Sequence, residues 1–450
     1  MHIKSSIALL FLLSGTGAEA QTRSTPPAAQ AQPGGAPARA STQVIAITGG
    51  TVFPVSGPKI ERGTVLIRDG RIVEVGASVT VPAGAQVIDA AGKWVTPGLF
   101  NASTQLGLSE GGGPQFSGGY NDTRAKGTDG VAAAFRAWEG INPASTFIVP
   151  ARQGGVTTVL VHPSGGLISG QAAVIDLAGD NVDSMLVRRG AGRGTAPVAM
   201  VASFSNDAAQ AGARGELLGK LRELLLDARL YGQNRAAYDR NASRAMAAPR
   251  ADLEALQAVV DTTLPLAISV NRASDIRAVL ALRQRDRLPL KLIIVGAAEG
   301  WQVAAELAAA RVPVMVGAMS NIPSSFEELG TRQENAALLR AAGVPVVLIG
   351  NGPGDSENFN VLNIRQEAGN AVAYGMSWDD ALRAITLAPA EAFGLADKVG
   401  SLRAGREANV VIWNGDPFEF STRAEQVFIR GVKQGGKSRQ DELVERYRKP

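Results

Sequence analysis

From Trp94 to about residue 395, short β-branched runs alternate with Ala-, Leu- and Arg-rich helical stretches, and this alternation restricts the fold more than any other feature of the chain. Strands are predicted at 157–161, 198–202, 266–270, 292–295, 312–316 and 344–349, with helices at 275–284, 301–310 and 333–342. A strand followed by a helix and a second strand needs a crossover, so successive strands lie parallel with helices on the outside. Over roughly 300 residues a closed barrel satisfies that pattern, and a doubly wound sheet is the alternative on pattern alone. The expected fold class is therefore α/β, a (β/α)8 TIM-type barrel over residues 97–399. The stretch from Glu216 to Val260 reads as a helical insertion in one βα connection, a candidate lid.

The flanks read differently. After a strand through Ile47, the run 63–68, the turn pair Asp69-Gly70 and the run 71–75 form the pattern of a β-hairpin. Strand text returns at 410–413 and 426–431. We therefore expect a discontinuous β-sandwich companion domain built from residues 43–96 and 400–435. Ser377 with Asp380 three residues on marks a helix start. Residues 436–450 form a charged tail, either a terminal helix or a frayed end.

Lys4, the apolar run Ile7 to Leu13 and Ala18-Glu19-Ala20 have the order of a cleavable signal peptide, residues 1–20, followed by an Ala/Pro/Gln/Gly-rich linker over 21–42. The expected location is periplasmic or secreted. No Cys follows the cleavage site, so no lipid anchor is expected, and no later apolar run reaches membrane-spanning length. The absence of cysteine from the whole chain excludes disulfides and thiolate metal sites. A net charge of +4 is spread along the chain, and Arg188, Arg189 and Arg193 stand among glycines as a solvated loop would, so no nucleic-acid partner is expected.

The segment Val95-Thr96-Pro97-Gly98-Leu99-Phe100-Asn101-Ala102-Ser103-Thr104-Gln105-Leu106-Gly107 resembles the amidohydrolase-superfamily signature V-x-P-G-L-I-D-x-H-x-H-x-G. Val399-Gly400-Ser401-Leu402-Arg403-Ala404-Gly405 followed by Ala408-Asn409 resembles the family's later V-G-S-L-x-x-G-x-x-A-D. The closest subgroup in this resemblance is that of imidazolonepropionase-like and dipeptidase-like amidohydrolases. It implies a barrel carrying one or two divalent metals, typically zinc, at its C-terminal mouth. Two His after the first strand, further His after middle strands and an Asp after the last would hold them. The family's reaction is metal-assisted hydrolysis of amide or cyclic amide C–N bonds.

This chain departs from that pattern where the chemistry sits. Its two histidines are His2, inside the expected signal peptide, and His162. Ser103 and Gln105 stand at the first two His positions, Ser269 and Asn271 at the middle pair, Gly296 at the next His and Asn351 at the terminal Asp. No Lys lies between Lys126 and Lys220 to serve as a carbamylated bridge. Such neutral side chains lack the basicity to hold zinc or to activate its water, so no metal cofactor is expected.

Three roles follow from the residues. The first is a non-catalytic subunit or regulator, beside an active amidohydrolase paralogue or in a homo-oligomer. The second is a periplasmic binder of a small amide or peptide-like ligand, with His162, Gln171 and Arg272 as further contacts. The third is a metal-independent amide hydrolase with Asp355 or Glu357 as general base. His162 precedes the Gly-rich run 163–171, which lacks the Lys and following Ser/Thr of a phosphate-binding loop. A lone imidazole is more often a hydrogen-bonded structural group than a metal ligand.

Overall fold

The computed structural model describes residues 44–110, 120–190, 194–204, 213–319, 323, 325–350 and 360–448. The expected signal peptide and linker, Arg193, Asn351, Asp355 and Glu357 lie outside the described residues.

Five strands come first: β1 (Ile45–Val52), β2 (Ile60–Arg68), β3 (Arg71–Gly76), β4 (Gln86–Asp89) and β5 (Trp94–Pro97). The barrel opens with β6 (Leu99–Thr104), and β7 (Ser109–Glu110) and β8 (Tyr120–Asn121) pair as a small ribbon. The remaining staves are β9 (Val156–Val161), β10 (Ile168–Asp176), β11 (Pro197–Ser203), β12 (Leu266–Val270), β13 (Leu292–Gly296), β14 (Val314–Val316) and β15 (Val346–Leu348). Strands β16 (Val410–Trp413), β17 (Ala424–Ile429) and β18 (Val432–Lys433) end the sheet-forming part.

Eight staves pair in the order β6-β9-β10-β11-β12-β13-β14-β15, and β15 contacts β6, so the sheet curls into a nearly closed TIM-type barrel. Strands β14 and β15 start later than their apolar runs because Pro313 and Pro345 have no N–H to give to a ladder. Alternation along the staves sorts the core into two layers. Phe100, Ala102, Leu160, Ala172, Val174, Ala199, Ala267, Ile293, Met315 and Val347 fill the interior, while Leu99, Val159, Ile268, Ile294 and Leu348 belong to the apolar layer shared with the helices.

The barrel departs from the expected alternation at one stave. Strand β10 runs antiparallel to both β9 and β11, whereas the other neighbouring staves are parallel. The residues 162–167 between β9 and β10 are too few for a crossover helix, so the chain reverses and uses the Gly-rich run as a buried strand.

The companion sheet follows the order β18-β17-β16-β5-β1-β2-β3, with β4 also paired to β1. Strand β1 forks it: Ile45 to Thr48 pair with β4, and Thr51 and Val52 with β5. The strands form one forked hydrogen-bonded sheet, and β16 joins it beside β5, so early and late strands share one core around Ile47, Val65, Val95, Val410 and Phe428. Trp413 ties this sheet to the barrel, its indole N–H donating to Thr96 Oγ1 at 2.8 Å and its ring facing Gly155, where a β-carbon would stand 2.1 Å from it.

The insertion between β11 and β12 forms the helices Arg214–Gln233, Arg235–Asp239 and Arg250–Val260. Leu217, Leu221, Leu224, Leu225, Ala228 and Tyr231 recur at helical spacing and are buried with Leu253, Leu256 and Val259 in the apolar layer outside the staves. Arg214, at the start of the first helix, pairs with Asp275 and Glu327. These helices form part of the outer wall, and none of their described residues lines the barrel mouth. Ser377 caps the helix Trp378–Ala384 through Asp380 N–H, and a capping box of Ser438 and Asp441 starts a terminal helix, Arg439–Tyr447. No helix among the described residues is long and apolar enough to cross a membrane.

Candidate functional site

The inward-facing residues at the C-terminal ends of the parallel staves surround a cavity of about 690 Å³. Its floor is apolar, with Leu160, Ala199, Ala267, Val295, Met315, Ile349 and Phe393 below the polar rim. Period-two geometry carries the polar residues there: His162 follows Leu160, and Ser269 and Asn271 follow Ala267.

Strand β6 reaches the cavity by another device. Its interior residues Phe100 and Ala102 would be followed inward by Thr104, yet Ser103 and Gln105 line the cavity. The register between β6 and β9 steps from Asn101↔Val159 to Thr104↔Val161, so three residues on β6 oppose two on β9. This bulge switches the inward parity. Asn101 Oδ1 accepts from Ser103 N at 3.1 Å and so satisfies an N–H that the bulge takes from the ladder. At the base of β6 a β-carbon on Gly98 would stand 2.1 Å from Thr157 Oγ1, which explains the glycine of the V-x-P-G segment.

Six of the residues singled out from the sequence meet in this cavity: Ser103, Gln105, His162, Ser269, Asn271 and Gly296. Two do not. Gln171 is buried on β10 and donates from Nε2 to Ala133 O at 3.0 Å, and Arg272 precedes the helix Ala273–Arg285, outside the cavity lining. Sequence reading missed Arg124, Glu328, Ser169 and Ser203, which also line the mouth. Arg124 comes from the loop after β8 and Glu328 from a 3-10 turn after β14, and no motif marks either one.

His162 bridges two groups. Its Nδ1 lies 3.0 Å from Pro163 O and its Nε2 3.1 Å from Ser103 Oγ. A carbonyl oxygen only accepts, so Nδ1 carries a proton, and in the neutral imidazole Nε2 accepts the Ser103 hydroxyl hydrogen. Gln105 is only 7% exposed, and its side-chain amide has no hydrogen-bond partner among the described residues. Asn271 donates to Glu328 Oε1 at 3.4 Å.

The described donors at the mouth comprise one imidazole, the Glu328 carboxylate, hydroxyls and amides, a poor set for the divalent metal implied by the resemblance, and no group of three or more His, Cys, Asp or Glu able to hold a metal occurs among the described residues.

Other ionisable clusters lie away from the mouth. A second cavity of about 820 Å³, between the insertion and the staves, includes Arg136 and Glu254, which are paired with Glu139 and with Arg235 and Arg250. Asp176, at the far end of antiparallel β10, is buried and accepts from Thr158 Oγ1 and Asn409 Nδ2, each at 2.9 Å. Burial pushes its carboxyl and that of Glu407 up, Glu407 to about 8 with a further push from the Asp176 charge, while Arg430 opposes both shifts. This pair joins the barrel to the companion sheet at the end opposite the mouth, so it cannot act on anything held there.

Three comparisons bear on kinship. Residues 298–435 match the family model described as "Amidohydrolase family". The chain is 26% identical over 393 residues to the imidazolonepropionase of Acidiphilium cryptum, covering 80% of this chain and 89% of that protein. A stretch of 80 residues is 32% identical to amidohydrolase tasK of Hapsidospora irregularis, only 18% of this chain and 8% of that much longer protein. Among solved structures, an amidohydrolase from Thermotoga maritima superposes with a TM-score of 0.76 at 26% identity, covering 87% of this chain and 100% of that one.

Proposed function

The chain belongs to the amidohydrolase superfamily, and from that premise we propose that it binds a small amide or peptide-like molecule in the barrel mouth without a metal, having lost the family's metal-assisted hydrolysis. The observation that carries this reading is Gln105, 7% exposed, whose side-chain amide opens onto a cavity rich in other polar groups and makes no hydrogen bond to the described residues. A ligand with complementary donor and acceptor atoms gains about 0.5–1.5 kcal/mol from each hydrogen bond it makes to such an amide. Arg124 and Glu328 put one charge of each sign on the same rim, which suits a ligand with both a carboxylate and an amine or amide N–H. Apolar floor and polar rim together are the usual make-up of a small-molecule site. With the signal peptide read over residues 1–20, the ligand would be met in the periplasm or outside the cell.

The test has two parts. Purified protein equilibrated with Zn²⁺ and Mn²⁺ and then freed of excess should retain less than about a tenth of a metal per chain by elemental mass spectrometry. In the presence of chelator, thermal shift against dipeptides and cyclic amides should reveal stabilising ligands, and Gln105→Leu should weaken them about tenfold. One or two tightly held metals per chain, or no ligand that stabilises the wild type, would overturn this reading.

A further inference from the structure

We propose that Ser103 and His162 form a nucleophile–base pair that gives the barrel mouth a metal-independent acyl-transfer activity. The inference rests on the reading that the mouth admits a carbonyl-bearing ligand without metal. It goes beyond that reading by assigning a reaction to the cavity wall.

The geometry has the parts that such chemistry needs. Ser103 Oγ and His162 Nε2 are 3.1 Å apart, and Pro163 O, 3.0 Å from Nδ1, accepts the Nδ1 proton, so that in the neutral imidazole Nε2 faces the hydroxyl as its base. Both side chains line the cavity, so a ligand carbonyl can reach the hydroxyl. The β6 bulge is what turns Ser103 inward, and Asn101 fixes the backbone behind it. Gln105, two residues on and facing the same cavity, has an amide N–H available for the oxygen that becomes negative.

In the first step the Oγ–C bond forms as the hydroxyl proton passes to Nε2 and the carbonyl electron pair moves onto oxygen. When the tetrahedral species collapses, the C–N or C–O bond breaks and the leaving amine or alcohol takes the proton from Nε2. Water then gives a proton to Nε2 and attacks the acyl-serine. Collapse releases the carboxylic acid, and the proton on Nε2 returns to Oγ. The acceptor described at Nδ1 is the Pro163 carbonyl, which stabilises the imidazolium formed in each step less than the Asp of a Ser-His-Asp triad does. The substrate class is therefore activated acyl compounds, esters and strained cyclic amides, rather than ordinary peptide bonds.

The experiment is phosphorylation by diisopropyl fluorophosphate in the presence of chelator, followed by intact mass and peptide mapping. Wild type should gain one adduct, on Ser103, with fluoride as the leaving group. Ser103→Ala should gain none, and His162→Gln should react at least tenfold more slowly. Should Ser103→Ala not fold, Ser103→Cys keeps the volume and should lose the phosphoryl adduct while being alkylated at position 103 by iodoacetamide. No adduct on folded wild type, an adduct on another residue, or an undiminished rate in His162→Gln would overturn the proposal. Ligand-induced stabilisation without an adduct would sink the nucleophile pair alone, whereas retained zinc would sink the metal-free reading beneath it.

Discussion

Asn271 occupies the space that any side chain at position 296 would need: a β-carbon built on Gly296 stands 2.5 Å from Asn271 Oδ1. Gly296 also has φ +87°, where a side chain is strained whatever the space. Any side chain introduced at this position therefore has to overcome both the neighbour and the backbone. Gly296→Ala should lose roughly 1–3 kcal/mol in urea unfolding. Asn271→Ala in the same chain should recover the part due to the contact and leave the part due to φ. Unchanged stability in the single variant would contradict this turn geometry.

The Asp176–Glu407 pair makes stability depend on pH. A carboxyl whose folded pKa stands above its unfolded value binds its proton more tightly in the folded chain, so stability is highest below the unfolded value and falls as pH rises through the folded one. For Glu407 the window runs from about 4.5 to about 8. The groups facing it are Asp176, Arg430 and Arg71, with Thr158 and Asn409 on Asp176. Urea unfolding of the wild type should therefore show stability declining from pH 5 to pH 8. Glu407→Gln should flatten that decline and be the more stable chain at pH 8. Parallel profiles for the two proteins would rule out Glu407 as the source.

Arg214 joins the insertion to two other elements, through Asp275 of the helix Ala273–Arg285 and Glu327 of the turn Phe326–Glu328. Both carboxylates are largely buried, so removing the cation leaves two uncompensated charges. Arg214→Met should cost about 3 kcal/mol and speed hydrogen exchange in the helix Arg214–Gln233. Adding Asp275→Leu and Glu327→Leu should restore much of the loss, because the buried charges go with the cation. Rapid exchange in that helix already in the wild type would favour a mobile insertion over a fixed wall.

Much of the architecture was legible in the chain because local pattern encodes period and turn chemistry. Strands 266–270 and 292–295, helix 275–284 and the Ser377 cap all follow from the spacing of apolar residues and from a side chain that can satisfy a free N–H. Ser103, Gln105, Ser269, Asn271 and Gly296, singled out through the resemblance, line one cavity.

What remained hidden depends on partners far away in sequence. Residues 168–176 have the composition of a strand but carry no mark of its direction, which the shortness of 162–167 and the positions of β9 and β11 decided. The bulge in β6 is a relation between two strands, so neither Ser103 nor its neighbours announce it. Arg124 and Glu328 reached the rim by loop paths that no local propensity specifies. The sequence by itself determined the family resemblance and the barrel period. Tertiary packing alone decided that the remaining imidazole meets a serine, because that contact exists only once β6 and β9 lie side by side in their bulged register.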